Sequence, residues 1–355
     1  MFDKILLFPY YLTLKLRHYL YDSGKIKSYR YDTPIISVGN ITVGGTGKTP
    51  HTEFLVKLLQ QAGKDVAVLS RGYGRATKGF RLATDTSTAS EIGDEPRQIK
   101  QKFPQCTVAV CEKRVVGMQH LIAERQVAGK SMDNWVVVLD DAFQHRYIKP
   151  GFSILLTDYA RPYYADRVLP WGRLRESAEG AQRADVIIVT KCPKNLTPTV
   201  AEQIRTKLAP LPSQEVFFTC FDYGSPYCAA DAHCSPCGIK EAELPENALV
   251  LTGIAKPQPL YAYLEAHGVE IKPLAFPDHH AFTPSDVSRI NAAFAALPEG
   301  SKVITTEKDA VRLRLLPTLS EAVKQQLLVQ PIEVKFLFGQ TEKFNTKIHD
   351  YVDAN

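Results

Sequence analysis

Beyond Asp22, the chain alternates short apolar runs with longer stretches in which apolar residues recur at helical spacing. This alternation is typical of a parallel sheet whose strands are joined by helices and buried on both faces. The clearest connecting helix is predicted over 49–61. The predicted strands of this first unit are 35–38, 66–70, 107–110, 135–139, 154–157 and 186–190.

A second alternation follows the aromatic, turn-rich segment that starts at Glu215. Its predicted elements are strands 248–252, 270–275 and 302–306 and helices 258–267 and 284–296, the latter capped by Thr283. Strands 215–221 and 331–338 flank this unit, and we expect them to pair. The predicted organisation is a first domain over 26–214 with a final helix in 339–355 returning to it, a two-stranded linker at 215–224 and 331–338, and a smaller α/β domain over 225–330.

Residues 1–25 precede both alternations and contain an amphipathic segment in which Lys4, Lys15 and Arg17 stand among Leu, Phe and Tyr. Its longest uncharged run is 5–14, whereas a membrane-spanning helix needs roughly 20 apolar residues. The segment also lacks the pattern of a signal peptide. Taken alone, it can be a helix lying in a membrane surface or a helix packed on the protein's own core.

The composition of the 355 residues narrows the class of protein. With 45% hydrophobic and 23% charged residues, a disordered, collagen-like or polytopic membrane chain is excluded. A formal net charge of +5 suits anionic ligands without indicating nucleic acid, and no feature indicates an obligate protein partner. Seven scattered cysteines, an odd number, favour reduced cytosolic thiols over a disulfide framework.

A glycine-rich loop joins the first predicted strand to helix 49–61 and carries the clearest chemistry. Its residues are Gly44, Gly45, Thr46, Gly47, Lys48, Thr49 and Pro50. Glycines let backbone N–H groups face phosphate oxygens, the lysine serves the β- and γ-phosphates, and the threonine hydroxyl can hold magnesium. Thr42 replaces the first glycine of the general pattern, so we expect Gly44 and Gly45 to supply the flexibility.

Asp140 and Asp141 follow an apolar strand, at the position from which a carboxylate can hold magnesium directly or through water. With the glycine loop, they predict a P-loop NTPase-like parallel sheet that binds a nucleoside triphosphate and Mg²⁺. Pro193 stands where GTPases carry the aspartate that reads guanine, which favours ATP.

Two classes of function remain open on these motifs, a phosphoryl-transfer enzyme and a nucleotide switch or metal-carrying P-loop protein. A phosphoryl-transfer enzyme needs a base and cations for the moving group. Asp94 and Glu95, in a loop bounded by Gly93 and Pro96, are the candidates for a base and for its metal or network partner.

A zinc site is the other metal hypothesis. The candidate thiols are those of Cys228, Cys234 and Cys237. The last two form a CSPC pair beside His233. A second well-spaced pair is missing, so we favour free thiols.

Taken in order, the motifs resemble the tetraacyldisaccharide 4'-kinase family, the lipid A 4'-kinases of Gram-negative bacteria. The motifs are SVGNITVGGTGKTP, SRGYGR, GDEP, LDDAFQH, LPWGRLRE, FPDHH and TTEKDAVRL, spread over essentially the whole chain. The resemblance implies transfer of the γ-phosphoryl group of ATP to the 4'-hydroxyl of a tetraacyldisaccharide 1-phosphate, giving lipid IVA. It also implies two α/β/α domains with a two-stranded linker.

The same resemblance implies a peripheral enzyme on the cytoplasmic face of the inner membrane. A substrate with four acyl chains stays in the bilayer, which favours the membrane-surface interpretation of the N-terminal helix. The same resemblance implies that Lys48 and Thr49 bind the phosphates and magnesium. It also implies that Asp94 is the catalytic base, hydrogen-bonded to His279.

The resemblance assigns the remaining polar residues to the two phosphate-bearing ligands. Asp140, Asp141 and Glu95 are implied to hold magnesium or its waters, and Arg71, Arg114 and His145 to steady the phosphates of ATP or lipid. The family's usual DDGLQH and RGYGG read DDAFQH and RGYGR here. Arg75 is therefore a further candidate contact for the lipid phosphate.

Overall fold

The computed structural model describes residues 2–229, 242–277, 280, 282–313, 316 and 318–355. The strands within these ranges are β1 (Ile35–Gly39), β2 (Asp65–Ser70), β3 (Arg81–Leu82), β4 (Thr107–Val110), β5 (Trp135–Asp140), β6 (Phe152–Asp158), β7 (Val186–Thr190), β8 (Glu215–Tyr223), β9 (Tyr227–Cys228), β10 (Asn247–Thr252), β11 (Glu270–Ala275), β12 (Lys302–Thr306), β13 (Leu327–Gln330) and β14 (Ile332–Phe336).

Helices connect most of these strands. The α-helices of the same ranges are α1 (Phe2–Asp22), α2 (Lys48–Gln61), α3 (Ala89–Ile92), α4 (Asp94–Lys102), α5 (Arg114–Val127), α6 (Pro198–Leu208), α7 (Gln258–Ala266), α8 (Pro284–Ala295), α9 (Glu307–Leu313), α10 (Glu321–Gln325) and α11 (Thr341–Asp353). The predicted strands and helices agree with these elements to within one or two residues at most ends.

The larger sheet has nine strands in the order β14-β8-β7-β6-β1-β5-β2-β4-β3. All neighbouring pairs are parallel except the two at the edges, β14 with β8 and β3 with β4. Strand β1 lies between β5 and β6, and Val38 pairs in register with Asp140. The loop after β1 and the aspartates that end β5 therefore emerge side by side at the carboxyl edge, where open α/β sheets bind ligands.

The smaller sheet has the order β11-β10-β12-β13-β9. Its first four strands are parallel, and β9 closes the edge in antiparallel pairing with β13. The fold class predicted from the sequence, a P-loop NTPase-like sheet with a second, smaller α/β unit, is confirmed. The sequence pattern missed β13, a short buried strand that directly precedes β14.

Alternation along the strands divides the core of the large sheet between its two faces. Ile36 and Val38 pack with residues of α2 and α11 on one face, whereas Ile35 packs with residues of α5 on the other. A further apolar cluster between β6, β7 and α6 extends the second face. The sheet is thus covered on both sides, which holds β1 and β5 rigidly beneath the loops that follow them.

Helix α1 packs through the end of its carboxyl half. Tyr21 is buried, and His18 Nε2 lies 3.1 Å from the buried carboxylate of Glu176. Leu12, Leu16 and Tyr19 are exposed on the other side. In the described part of the chain, no helix is both long enough and apolar enough to traverse a bilayer.

Candidate active site

The glycine-rich loop leads from β1 into α2, which begins at Lys48. Gly44 and Gly47 adopt φ values of 116° and 84°, a region that residues with a Cβ rarely occupy. A Cβ on Gly47 would also lie 2.6 Å from the Phe221 ring of β8. The loop therefore requires glycine at 47 for two reasons, its backbone and its contact with the neighbouring strand.

Polar side chains outside the loop hold it in place. Asn40 donates to Thr46 Oγ1 at 2.8 Å, and Thr190 Oγ1 donates to the Thr46 carbonyl at 2.8 Å. Lys191 donates to the Gly45 carbonyl and pairs with Asp158 at 2.8 Å. Lys191, two residues before Pro193, thus supports the loop from the side.

His51 supports the same loop from within α2, and the sequence patterns gave no indication of it. Its Nδ1 lies 2.7 Å from the Gly47 carbonyl and its Nε2 lies 3.1 Å from Thr219 Oγ1 of β8. Burial lowers the pKa of His51 to about 4, although the hydrogen bond to Gly47 opposes the shift. The ring is therefore a neutral connector between the loop and the sheet at physiological pH.

Asp140 ends β5 with both carboxylate oxygens engaged. Thr52 donates to Oδ1 at 3.1 Å and Ser70 donates to Oδ2 at 3.0 Å. Burial raises the pKa of Asp140, and the neighbouring Asp141 raises it further, while Lys48 and the two hydroxyls lower it. The carboxylate is thus held in one orientation at the carboxyl edge of the sheet.

Asp141 turns toward the glycine loop because its backbone is left-handed, with φ of 46°, a conformation that Asp tolerates. Its Oδ1 lies 3.6 Å from Lys48 Nζ, and its Oδ2 lies 3.5 Å from Arg175. Arg175, in the LPWGRLRE motif, was not assigned a role from the sequence. Its position beside Asp141 adds a third charge to the pair.

Asp94 and Glu95 form the first turn of α4 and do not lie in a loop, which corrects the sequence prediction. Pro96 is compatible with this turn because the N–H of a first-turn residue has no partner inside the helix. Asp94 pairs with Arg312 of α9, a residue of the TTEKDAVRL motif without a predicted role.

Glu95 lies among the charged groups of the site. Partial burial raises the pKa of Glu95 to about 7, with further contributions from Asp140, Asp141 and Asp94, and Lys48 opposes them. The residue itself keeps contact with solvent. The glycine loop, the strand-end aspartates and the start of α4 therefore form one electrostatic unit.

The three predicted phosphate contacts take different positions. Arg114 is buried and donates to the carbonyls of Cys111, at 2.7 Å, and Asp140, at 3.3 Å. Burial lowers the pKa of Arg114 to about 10, opposed by the charges of Asp140 and Asp141. Burial lowers the pKa of His145 to about 4, and the positive charge of Arg114 contributes to this shift. Arg71 follows β2 and is exposed.

The remaining residues predicted from the sequence are Arg75, His279 and the cysteines of the zinc hypothesis. Arg75 pairs with Glu112 at 2.6 Å and also donates to the Gly79 carbonyl at 2.6 Å, within its own loop region. His279, Cys234 and Cys237 lie outside the described residues. Cys228 is a free cysteine, partly buried at the end of β9.

A magnesium ion fits the oxygen donors of this site. Within the described ranges, no three His, Cys, Asp or Glu side chains converge into a metal site made by protein alone. Magnesium, however, keeps several waters and takes one or two carboxylates together with nucleotide phosphates. Asp141 Oδ1, buried and without a hydrogen bond, is the clearest free donor beside Lys48.

The model of the tetraacyldisaccharide-1-P 4'-kinase family, also called LpxK, matches residues 4–353. A relative named tetraacyldisaccharide 4'-kinase, from Phocaeicola vulgatus, is 47% identical over 341 residues, 96% of this chain and 92% of that protein. One of the same name from Bacteroides thetaiotaomicron is 44% identical over 353 residues, 98% of this chain and 91% of that protein.

A solved structure agrees with these sequence relatives. LpxK from Aquifex aeolicus, crystallised in complex with ATP, superposes with a TM-score of 0.72 at 26% sequence identity. The similarity covers 99% of this chain and 100% of that one. It therefore includes both sheets and the helices between them.

Proposed function

Because the chain belongs to the tetraacyldisaccharide-1-P 4'-kinase family and is therefore a kinase, we propose that it phosphorylates the 4'-hydroxyl of a tetraacyldisaccharide 1-phosphate with ATP. The product is lipid IVA, in the synthesis of lipid A. The family match over residues 4–353 carries this proposal. The juxtaposition of Lys48, Asp140 and Asp141 at the carboxyl edge of the large sheet supports it.

In the proposed reaction, the 4'-oxygen forms a bond to the γ-phosphorus while the bond from that phosphorus to the β,γ-bridging oxygen breaks. ADP leaves, and the hydroxyl proton passes to a carboxylate of the protein. Asp94 is the proposed acceptor of this proton, since it stands in the first turn of α4 beside Glu95, whose carboxylate interacts electrostatically with Asp140 and Asp141.

The phosphates of ATP are proposed to lie on the glycine loop, against backbone N–H groups of residues 44–49 and the amino end of α2. Lys48 neutralises the β- and γ-phosphates, and Pro50 continues the first turn of the helix. Arg71, Arg114 and His145 are proposed to steady phosphate groups around this loop. For the buried Arg114, this effect acts through its charge and through the carbonyl of Asp140.

Thr49, Asp140, Asp141 and Glu95 are the residues proposed to hold Mg²⁺ or its waters. The ion would supply positive charge to the phosphate oxygens as negative charge develops on the leaving group. Thr52 and Ser70 fix the orientation of Asp140 before any ligand binds.

His279 remains proposed as the hydrogen-bond partner of Asp94, on the basis of the family resemblance. Its neighbour His280 lies 2.9 Å from Asp286 at the start of α8. This contact anchors the carboxyl side of the FPDHH motif in the smaller unit.

We also propose peripheral association with the cytoplasmic face of the inner membrane through α1. One side of its carboxyl half is packed on the protein, whereas Leu12, Leu16 and Tyr19, spaced four and three residues apart, are exposed together. Exposed Lys15 among these side chains suits an anionic membrane surface.

The experiment is incubation of the purified full chain with labelled ATP, Mg²⁺ and a tetraacyldisaccharide 1-phosphate in mixed micelles. The expected result is a doubly phosphorylated lipid that accumulates with time and requires both ATP and Mg²⁺. ATP binding without transfer to the lipid would contradict the proposal and favour a nucleotide-switch function.

A further inference from the structure

The TTEKDAVRL motif spans the end of β12 and the whole of α9, and its Glu307 and Arg312 lie where the smaller unit meets the large one. Helix α9 packs on α4, the helix that begins with Asp94. The proposed chemistry uses none of these residues. Their contacts nevertheless determine where the smaller unit sits against the first turn of α4.

The beginning of α9 is anchored to its own sheet. Thr306 Oγ1 donates to Asp309 Oδ2 at 2.8 Å and accepts from the Asp309 N–H at 3.2 Å, a reciprocal cap of the helix. The Gly253 N–H donates to the same Oδ2 at 2.8 Å. Thr305 donates to the Leu251 carbonyl at 2.8 Å. Because Asp309 and Thr305 are fully buried, α9 is held firmly on the smaller sheet.

Two ion pairs then join α9 to α4, one at each end. Arg312, near the end of α9, pairs with Asp94 at the start of α4. Glu307, at the start of α9, pairs with Lys102 at the end of α4 at 2.7 Å. The helices therefore run antiparallel. Helix α4 contributes the carboxylate to one pair and the ammonium to the other. A parallel arrangement would bring like charges together, and a shift along the helix axis would separate both pairs, so the pairs specify one register.

Lys102 extends this contact to α2. Its ammonium lies 2.7 Å from Glu307 and 2.7 Å from Glu53 of α2, the helix that begins with Lys48. Gln98 of α4 also donates to Glu53, at 2.7 Å. Burial lowers the pKa of Lys102, but the two carboxylates outweigh it and raise the pKa overall, so the ammonium stays charged. Helices α2, α4 and α9 are thus joined at one cation.

We propose that Arg312 is a positioning residue for phosphoryl transfer: anchored on the smaller unit, it holds the Asp94 carboxylate in the orientation that meets the acceptor hydroxyl. A guanidinium suits this task because its planar set of N–H donors fixes the direction of a carboxylate, whereas an ammonium supplies only a point charge. The Glu307–Lys102 pair sets the register in which Arg312 reaches Asp94. This inference rests on the proposed kinase function and on Asp94 as its base.

The test compares Arg312→Gln and Arg312→Lys with the unaltered full chain, in the lipid kinase assay and in ATP binding. We expect R312Q to lower kcat roughly 10- to 100-fold, the scale of a misplaced reacting group, with the KM for ATP changed less than about twofold. R312K should recover part of the lost kcat. Arg205→Gln, which removes an arginine paired with Glu202 inside α6, is the matched control and should leave kcat unchanged.

The decisive measurement is a double-mutant cycle with Asp94→Asn under single-turnover conditions. If Arg312 acts through Asp94, R312Q should change the residual rate of D94N less than about twofold. An equal loss in both backgrounds would overturn the inference, as would an unchanged kcat of R312Q in the normal background. Loss of kcat together with loss of ATP binding or a large drop in unfolding temperature would instead show a structural role and also overturn it.

The outcome for the unaltered chain separates the two proposals. Absence of lipid phosphorylation by the unaltered chain would overturn the proposed function and this inference together. Normal phosphorylation with no coupling between Arg312 and Asp94 would overturn this inference alone.

Discussion

Lys48 Nζ and Asp141 Oδ1 lie 3.6 Å apart, so the cation of the glycine loop and the carboxylate after β5 face one another across the site. The lysine is 14% exposed and the aspartate 31%. Each balances the charge of the other, and both are positioned for a ligand that carries phosphates and a divalent cation.

Lys48→Met should therefore cost activity. We expect kcat to fall by roughly 100- to 1,000-fold, since a preorganised cation at the transferred phosphoryl group contributes on this scale. The matched control is Lys57→Met, because Lys57 is an exposed lysine of the same helix. Steady-state assay of lipid phosphorylation checks both variants, and similar kcat values for the two would contradict the role of Lys48.

Asp140→Asn should separate activity from stability. Burial and the charge of Asp141 disfavour the Asp140 carboxylate, so the neutral amide should leave the unfolding temperature of the ligand-free protein unchanged or raise it. Activity should nevertheless fall at least about 100-fold, with a higher Mg²⁺ requirement, because a metal-binding oxygen is lost. Calorimetric unfolding and Mg²⁺ titrations of the rate measure the two effects.

Asp185→Asn is the control for that variant. Asp185 directly precedes β7 of the same sheet, and burial also raises its pKa, but it lies at the amino ends of the parallel strands, away from the site. Its carboxylate accepts from the Ser153 N–H at 2.7 Å. Its substitution should not alter the Mg²⁺ requirement. A Mg²⁺ requirement of D140N equal to that of the unaltered chain would contradict the prediction.

Glu307 should make stability depend on pH. Burial and the charge of Glu53 raise its pKa to about 7, although Lys102 opposes them. The folded state therefore binds more protons than the unfolded chain between the usual carboxyl range and about pH 7, so this group's contribution to stability declines as pH rises through that window.

Glu307→Gln removes this titration. We expect the free energy of unfolding to fall less between about pH 5 and about pH 8 in E307Q than in the unaltered chain, by a difference on the order of 1–3 kcal/mol. Urea unfolding at the two pH values measures it. Glu321→Gln, an exposed glutamate paired with Lys324, should keep the pH dependence of the unaltered chain. Parallel pH profiles for E307Q and the unaltered chain would refute the assignment.

Leu16→Glu should weaken membrane binding. Leu16 is 57% exposed on α1, and burying a leucine side chain in an apolar environment stabilises by about 1.5–3 kcal/mol. We therefore expect partitioning into vesicles containing phosphatidylglycerol to fall roughly 10-fold or more, with ATP binding unchanged. Val127→Glu is the control, since Val127 is 88% exposed at the end of α5. Equal partitioning of the two variants would argue against α1 as the anchor, as would unchanged partitioning after deletion of residues 1–22.

The parts of the site that local sequence determines were predictable. The glycine loop and Asp140 follow apolar strands, and neighbouring strand ends meet at one edge of a parallel sheet. Asp94 and Glu95 were wrongly placed in a loop because glycine before them and proline after them suggest a turn. Proline in the first turn of a helix and glycine ahead of it are equally compatible with a helix start.

The contacts between distant segments were not predictable from one sequence. Arg312 and Asp94 are separated by 218 positions, and only the packing of α9 on α4 brings them together. Arg114 has the composition of a phosphate contact, yet α5 begins beneath β5 and buries it against the Asp140 carbonyl. His51 gives no motif signal because its partners are a backbone carbonyl and a hydroxyl on β8.

The pairing of β8 with β14 also has a consequence for synthesis on the ribosome. The chain leaves the large sheet after Tyr223 and re-enters it at Ile332, which pairs with Tyr223. Strands β9 to β13 are contiguous in sequence, so the smaller sheet is complete before β14 and α11 emerge. Since Phe336 and Phe344 belong to the core beneath the glycine loop, the segment synthesised first is the one whose core closes last.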